Sequence, residues 1–340
     1  NGARVGIVDR GERPGGAWAT LDLLATPGIE SGPHFFQSRA ELAFLADSLD
    51  FRLMRVPRPF WMVSYRGLRF RATDRGGKLF VGLLQLARLA LKGRRRLRDV
   101  PDDRVSRLGD ILRQMAFHLS SYRESTDYFA GGCGDFVCSA AALAVRRGVE
   151  FRHGDLEAVR CADGALTCTL SSGERIECGE LLVTCRSIVP AVETGAGLRT
   201  FNVVEAWRNQ LHLLVRSPRP IDFYLVRFVG YGMFAVVNLS LIGNHRSTGG
   251  ASALAVTLSD MSEARRLDRE FGQATLDRLV RAGLLAEGTE LLEFESTRYR
   301  DFRMAPHDYA AIERMSGGRI RKVGDVDLAV WLKDLSARWN

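Results

Sequence analysis

At 340 residues, with 46% hydrophobic and 26% charged residues, the chain is long enough for two domains with real cores and has an ordinary globular composition. Its net charge of +8 rests mainly on arginine and suits nucleic acid, an anionic membrane surface or an acidic substrate. No zinc-finger, RNP or helix-turn-helix pattern is present, so nucleic acid is not expected as a partner. The six cysteines (Cys133, Cys138, Cys161, Cys168, Cys178, Cys185) contain no C-x-x-C and fit neither a zinc site nor a small disulfide scaffold. Free thiols in a reducing cytoplasm are the expectation.

Val5, Ile7 and Val8 form a short apolar run of the kind that makes a buried parallel strand, and the run ends on Asp9. A carboxylate at that position of a dinucleotide-binding fold accepts hydrogen bonds from an adenosine ribose. Arg10 follows, and then Gly15 and Gly16, whose missing Cβ atoms let the backbone approach a pyrophosphate. Asp9, Gly15, Gly16 and Thr20 resemble the second half of the fingerprint in flavin-dependent amine oxidases, protoporphyrinogen oxidases and phytoene desaturases. Two departures stand out. Ala17 and Trp18 occupy the place where that group carries an arginine after the glycine pair, and no G-x-G-x-x-G turn precedes Asp9. The chain therefore reads as a fragment whose first βα unit lies outside it.

Gly28 to Phe36 continues the resemblance, with Glu30, Gly32 and His34 matching a segment that runs beneath the flavin ring in those proteins. Gly32 lets a ring lie on the backbone. His34 reads equally as a donor near the reactive edge or as a cap on the next helix. Ser38 to Leu49 has a capping box (Ser38, Glu41) and leucines at helical spacing. Residues 51–74 suggest a pair of strands turning at Arg66–Gly67. The apolar run Leu79–Leu91, closed by Arg94, Arg95, Arg96 and Arg98, is too short to cross a bilayer. It reads as a core helix, with a helix lying on a membrane surface through 79–98 as the second reading.

Asp110 to Arg123 is helical by pattern. Gly131–Gly132, a helix over Cys138–Arg147, Gly148–Val149 and the Leu156–Val159 segment then recur in the order that the same flavoproteins show. In that group the backbone near the position of Leu156 meets the adenine. A meander over 156–161, 165–170 and 174–178 follows, turning at Asp163–Gly164 and Ser172–Gly173, and a buried strand runs over 181–185. From Phe201 the pattern gives strands over 201–207, 210–216, 222–228, 232–240 and 251–258, then a helix from Glu263 to Ala282. Gly324–Asp325 ends a strand in the form that flavoproteins use to hold the ribityl chain, and residues 327–339 read as a terminal amphipathic helix.

The resemblance implies an α/β protein: a Rossmann-like FAD/NAD(P)-binding domain with an interleaved α+β substrate domain. The first comprises 1–40 and 125–195, with 318–340 as a further candidate piece; the second comprises 41–124 and 196–317. It also implies FAD as cofactor and a small-molecule substrate. The expected cofactor contacts are Asp9, Arg10, Gly15, Gly16, Ala17, Trp18, Gly32, His34, Leu156, Gly324 and Asp325. The leading function is an FAD-dependent oxidoreductase in which flavin N5 accepts a hydride, so the sequence need not supply a catalytic acid or base, and no metal is required. Arg208, Arg216, Arg219 and Arg227 also suit a nucleotide-sugar diphosphate, as in an isomerase resembling UDP-galactopyranose mutase. A third reading is a non-catalytic member of the fold. The absence of lysine from residues 201–217 counts against amine oxidation in particular. Nothing in the sequence sets an oligomeric state. The expected location is cytoplasmic, with contact to the inner face of a membrane as the variant that the 79–98 helix allows.

Overall fold

The computed structural model describes residues 4–11, 20–24, 26–30, 43, 46–47, 49–56, 61–65, 68–71, 83, 127–162, 164–184, 188–229, 233–242, 250–258 and 266–322. Its largest element is a seven-stranded mixed sheet. Across the sheet the order is Glu290–Arg303, Val204–Arg216, Ser252–Leu258, Met233–Asn238, Leu225–Val229, Trp61–Tyr65 and Leu68–Arg71. Neighbours are antiparallel except for the parallel pairing of Leu225–Val229 with Trp61–Tyr65.

Alternation along these strands divides the interior. Leu211, Leu213, Val215, Leu254 and Val256 face one way and pack with Leu276 and Leu279 of helix α2 (Arg269–Arg281; helix α1 is Gly132–Arg146). Leu214, Ala235, Val237, Ala253 and Ala255 face the other way, against Leu24, Ile29, Tyr128, Phe129 and Phe136. A third core lies under a five-stranded sheet built on the meander, where Val159, Leu166, Cys168 and Val192 meet Ile312 of helix α3 (Pro306–Met315). Four pairs complete the described sheets: Gly6–Asp9 with Glu150–His153 and Leu181–Val183 with Ile320–Lys322, both parallel, and Thr20–Leu23 with Thr26–Glu30 and Leu53–Arg55 with Asp127–Phe129, both antiparallel.

Several expectations meet the structure directly. The meander forms as Leu156–Ala162, Ala165–Leu170 and Arg175–Cys178, and Gly164 and Gly173 hold the positive φ that their turns require. Trp61–Tyr65 and Leu68–Arg71 form the expected antiparallel pair, with Tyr65 opposite Leu68; Arg66 and Gly67, where the turn was expected, lie outside the described residues. Other expectations are corrected. The strands expected at 201–207 and 210–216 are one 13-residue strand, because Arg208 and Asn209 continue the ladder with Tyr299 and Arg298 instead of turning. Helix α1 starts at Gly132, six residues before Cys138. Helix α2 starts after Asp268, whose carboxylate accepts from the Phe271 N–H at 2.9 Å and caps it. The Glu290–Arg303 strand, the Ala191–Thr194/Gly197–Thr200 hairpin, α3 and the Leu53–Arg55/Asp127–Phe129 pair had no counterpart in the sequence reading.

The first strand is parallel, as expected, but not buried. Val5, Ile7 and Val8 are 40%, 39% and 41% exposed, because among the described strands Gly6–Asp9 has one neighbour, Glu150–His153. Of the Leu79–Leu91 segment only Leu83 is described; it is helical and exposed. The helix expected at 110–123 and the terminal one at 327–339 lie outside the described residues. Among the described residues, no helix is long and apolar enough to cross a membrane.

Candidate functional site

Two corners bring sequence-identified segments together. The first is at the carboxyl ends of the parallel pair, the edge of an α/β sheet where ligands bind. Asp9 lies opposite His153, and its carbonyl oxygen accepts from the Gly154 N–H at 3.0 Å. Asp9 Oδ1 accepts from the Gly11 N–H at 2.8 Å, a local turn that fixes the carboxylate at the strand end. Arg10 reaches back to Asp155, with Nε 3.5 Å from Oδ1, and lays its guanidinium 4.2 Å from the centroid of the Phe302 ring. Arg10 thereby ties this corner to the long Glu290–Arg303 strand. Leu156 follows at once and opens the meander, half-buried, while the Asp155 carbonyl accepts from the Ser171 N–H at 2.8 Å.

The corner therefore assembles three of the expected cofactor contacts, Asp9, Arg10 and Leu156, from segments almost 150 residues apart. Gly15, Gly16, Ala17, Trp18, Gly32, His34, Gly324 and Asp325 lie outside the described residues.

The second corner frames two of those segments. Strands Thr20–Leu23 and Thr26–Glu30 form a hairpin in which Thr20 lies opposite Glu30. Both ends sit on the first turn of α1. A Cβ on Gly134 would come within 2.2 Å of Thr20 Cγ2, so only a glycine lets the strand approach this closely. Glu30 accepts from the Cys133 N–H through Oε1 at 2.8 Å and from the Tyr128 hydroxyl through Oε2. The Cys133 S–H in turn donates to the Tyr128 oxygen at 3.2 Å. The residue before the helix, Gly131, offers no side chain as a cap, so a carboxylate a hundred positions away takes that role.

Burial dominates the electrostatics here. It raises the Glu30 carboxyl to about 7, against the opposing hydrogen bonds from Tyr128 and Cys133. Burial, with the Glu30 charge beside them, also pushes the Cys133 thiol and the Tyr128 phenol upward. Cys133 is thus held as a neutral thiol and is no nucleophile at neutral pH. Behind it Phe129 stacks on Phe136 at 4.2 Å, with Phe51 edge-on to both. At the far end of the hairpin, the Leu24 N–H donates to Glu295 Oε1 at 2.7 Å. The sequence reading matched Glu30 without giving it a role and missed Tyr128, Cys133 and Asp155. The usable signal was a lone carboxylate closing an otherwise uncharged strand, TPGIE.

Two of the four arginines proposed to grip a diphosphate stand far apart. Arg208 and Arg216 share one strand and stand eight residues apart, about 27 Å. Arg216 lies 3.6 Å from Glu290.

No family model matches the chain, and no curated protein matches its sequence. Solved structures do match it. A triple mutant of putrescine oxidase, made in a redesign of cofactor binding, is 16% identical over 97% of this chain and 93% of that one, with a TM-score of 0.59. Reduced UDP-galactopyranose mutase is 13% identical over 92% and 81%, at 0.58. Cyclohexylamine oxidase from Brevibacterium oxydans IH-35A is 14% identical over 95% and 88%, at 0.57. At these identities the likeness is one of fold. The chain has the fold that the amine oxidases and the mutase share, which is the α/β architecture implied by the sequence resemblance.

Proposed function

We propose that the chain binds FAD and works as a flavin-dependent oxidoreductase on a small organic substrate. The observation that carries this reading is the first corner: a carboxylate at the end of a parallel strand, fixed by its own turn, beside the Gly154–Leu156 backbone. These groups fit the cofactor's adenosine end, where Asp9 would accept from ribose hydroxyls and the backbone near Leu156 would hold the adenine. In this reading Gly15, Gly16, Ala17 and Trp18 would hold the pyrophosphate, Gly32 and His34 the flavin ring, and Gly324 and Asp325 the ribityl chain. Bound flavin supplies hydride acceptance at N5. The protein's share is orientation: α1 seats both ends of the hairpin from which the pyrophosphate and ring segments depart. Residues 1–40 and 125–195, with 318–340, make the cofactor domain, and 41–124 with 196–317 make the substrate domain. The amine oxidases of the same fold support the oxidoreductase reading.

An isomerase is the second reading, supported by the fold shared with UDP-galactopyranose mutase. The spread of Arg208 and Arg216 weighs against a single diphosphate clamp on that strand. The test is to titrate FAD into the purified chain, follow quenching of flavin fluorescence, and screen substrates for anaerobic bleaching of the bound flavin. Uptake of FAD, with affinity reduced about tenfold or more in Asp9→Ala, is the expected result. A chain that takes up no FAD overturns the reading. Turnover that needs a reductant but consumes no acceptor selects the isomerase.

A further inference from the structure

The meander presents three thiols on one face. Cys168 lies opposite Ile176, and Cys178 lies opposite Leu166, so both side chains point to the same side of adjacent antiparallel strands. Their sulfurs are 4.0 Å apart, in van der Waals contact. Cys161 lies opposite Leu166 on the other flank of the central strand and shares the face. That face is the inner one, since Val159, Leu166 and Leu170 on it are fully buried. Cys168 is buried at 4% exposure, whereas Cys178, at the end of its strand, is half-buried. The two strands are already closed on each other: the Leu170 N–H donates to the Glu174 carbonyl at 2.9 Å, around a turn at Gly173. Among the described residues no three histidine, cysteine or acidic side chains are arranged to hold a metal ion.

We propose that Cys178 and Cys168 form a peroxide-oxidisable pair that closes a disulfide across the meander, independently of any flavin chemistry. The Cys178 thiolate attacks one oxygen of hydrogen peroxide. The O–O bond breaks, hydroxide leaves and is protonated to water, and Cys178 becomes a sulfenic acid. The Cys168 sulfur then attacks the Cys178 sulfur, the S–O bond breaks, and the thiol proton leaves with the hydroxyl as a second water. Two thiols lose two electrons in total, one peroxide gains two, and the sulfurs close from 4.0 Å to about 2.05 Å.

The division of roles follows from the surroundings. Either sulfur can donate in this contact, so the two thiols titrate as a pair, and exposure decides between them: Cys178 is partly exposed, whereas Cys168 is buried at 4% exposure. Burial raises Cys161. Cys133 is occupied with Tyr128, and Cys138 is exposed on α1. Attack therefore begins at Cys178, and Cys168 resolves it.

The experiment uses the chain as it stands, treated with one equivalent of hydrogen peroxide, alkylated, digested with trypsin without reductant and read by mass spectrometry. Cleavage after Arg160, Arg175 and Arg186 leaves Cys161 with Cys168 in one peptide and Cys178 with Cys185 in the next. Variants therefore assign the bond. The linked peptide pair is expected in wild type, in Cys161→Ser and in Cys185→Ser, and dithiothreitol should dissolve it. It should vanish in Cys168→Ser and Cys178→Ser. In Cys168→Ser, dimedone should trap Cys178 as its sulfenic acid, with Cys178 reacting about tenfold or more faster than Cys138. Cys168→Ala provides a second version should the serine disturb the core, and both are checked by thermal melting before oxidation. A link that survives in Cys168→Ser or Cys178→Ser, or no link in wild type, overturns the proposal.

Discussion

Asp9 and Glu30 each close a strand, and each accepts a backbone N–H at 2.8 Å, from Gly11 and from Cys133 respectively. By bond length they are the same interaction. They differ in what surrounds them: Asp9 is partly open beside exposed Ile7 and Val8, while Glu30 is 1% exposed among Tyr128, Cys133 and Phe129. A hydrogen bond at an accessible site replaces a bond to water and contributes little net stability. The same bond in a core prevents buried groups from going unsatisfied. The Asp9 corner is thus free to serve a ligand, and the Glu30 corner serves the fold.

The sharpest way to break this contrast is to truncate both. Glu30→Ala leaves the Tyr128 hydroxyl and the Cys133 N–H buried without their acceptor. It should cost about 3 kcal/mol at pH 5, read from the denaturant midpoint. Next in size is a pH effect. Glu30 is raised to about 7, so in the fold it keeps a proton that it loses in the unfolded chain above about 4.5. Its stabilising contribution is full below that value and lost as pH rises through 7, amounting to about 3 kcal/mol.

His212, buried in the seven-stranded sheet and lowered by burial to about 4, acts with the opposite sign. Its contribution is present above its unfolded value of 6.5 and is lost as pH falls through 4. Wild type should therefore show a muted pH dependence between pH 4.5 and 6.5. Glu30→Gln should uncover a stability that rises with pH, and His212→Gln one that falls. If both variants keep the wild-type profile in urea melts from pH 4 to 8, the two buried groups are not the source.

Smaller effects sharpen the comparison. Gly134→Ala should cost about 1–3 kcal/mol by pushing on Thr20, and Thr20→Ala in the same chain should recover most of it in a double-mutant cycle. Asp9→Ala should change stability least, by about 0.5 kcal/mol or less in thermal melts, while weakening FAD uptake. An Asp9 variant as unstable as Glu30→Ala would erase the distinction between the corners.

What the sequence displayed was whatever was locally encoded. Alternating residues with Asp163–Gly164 and Ser172–Gly173 between them mark the meander because turn and pleat are both short-range. The start of α1 was illegible because Gly131–Gly132–Cys133–Gly134 reads as loop, and the cap that makes it a helix comes from Glu30. Glu290–Arg303 escaped notice because it is an edge strand dense in charged residues, a pattern that protects an edge and hides the hydrophobic period. At the candidate site, Asp9 could be read from its strand. Its partner Gly154, and the Asp155 that Arg10 reaches, could not, since register between distant parallel strands has no local signature. Val204–Arg216 looked like two strands because Arg208 and Asn209 interrupt the apolar run, although Asn209 is fully buried.

The seating of Thr20 and Glu30 on one helical turn has a mechanical meaning. The segment before Thr20 and the segment after Glu30 leave from footings opposite each other on adjacent strands, and both footings are fastened to Cys133 and Gly134. At their roots the two segments share a single coordinate. A displacement of the first turn of α1 would carry both by the same amount, preserving the gap between their bases while shifting it against the rest of the molecule.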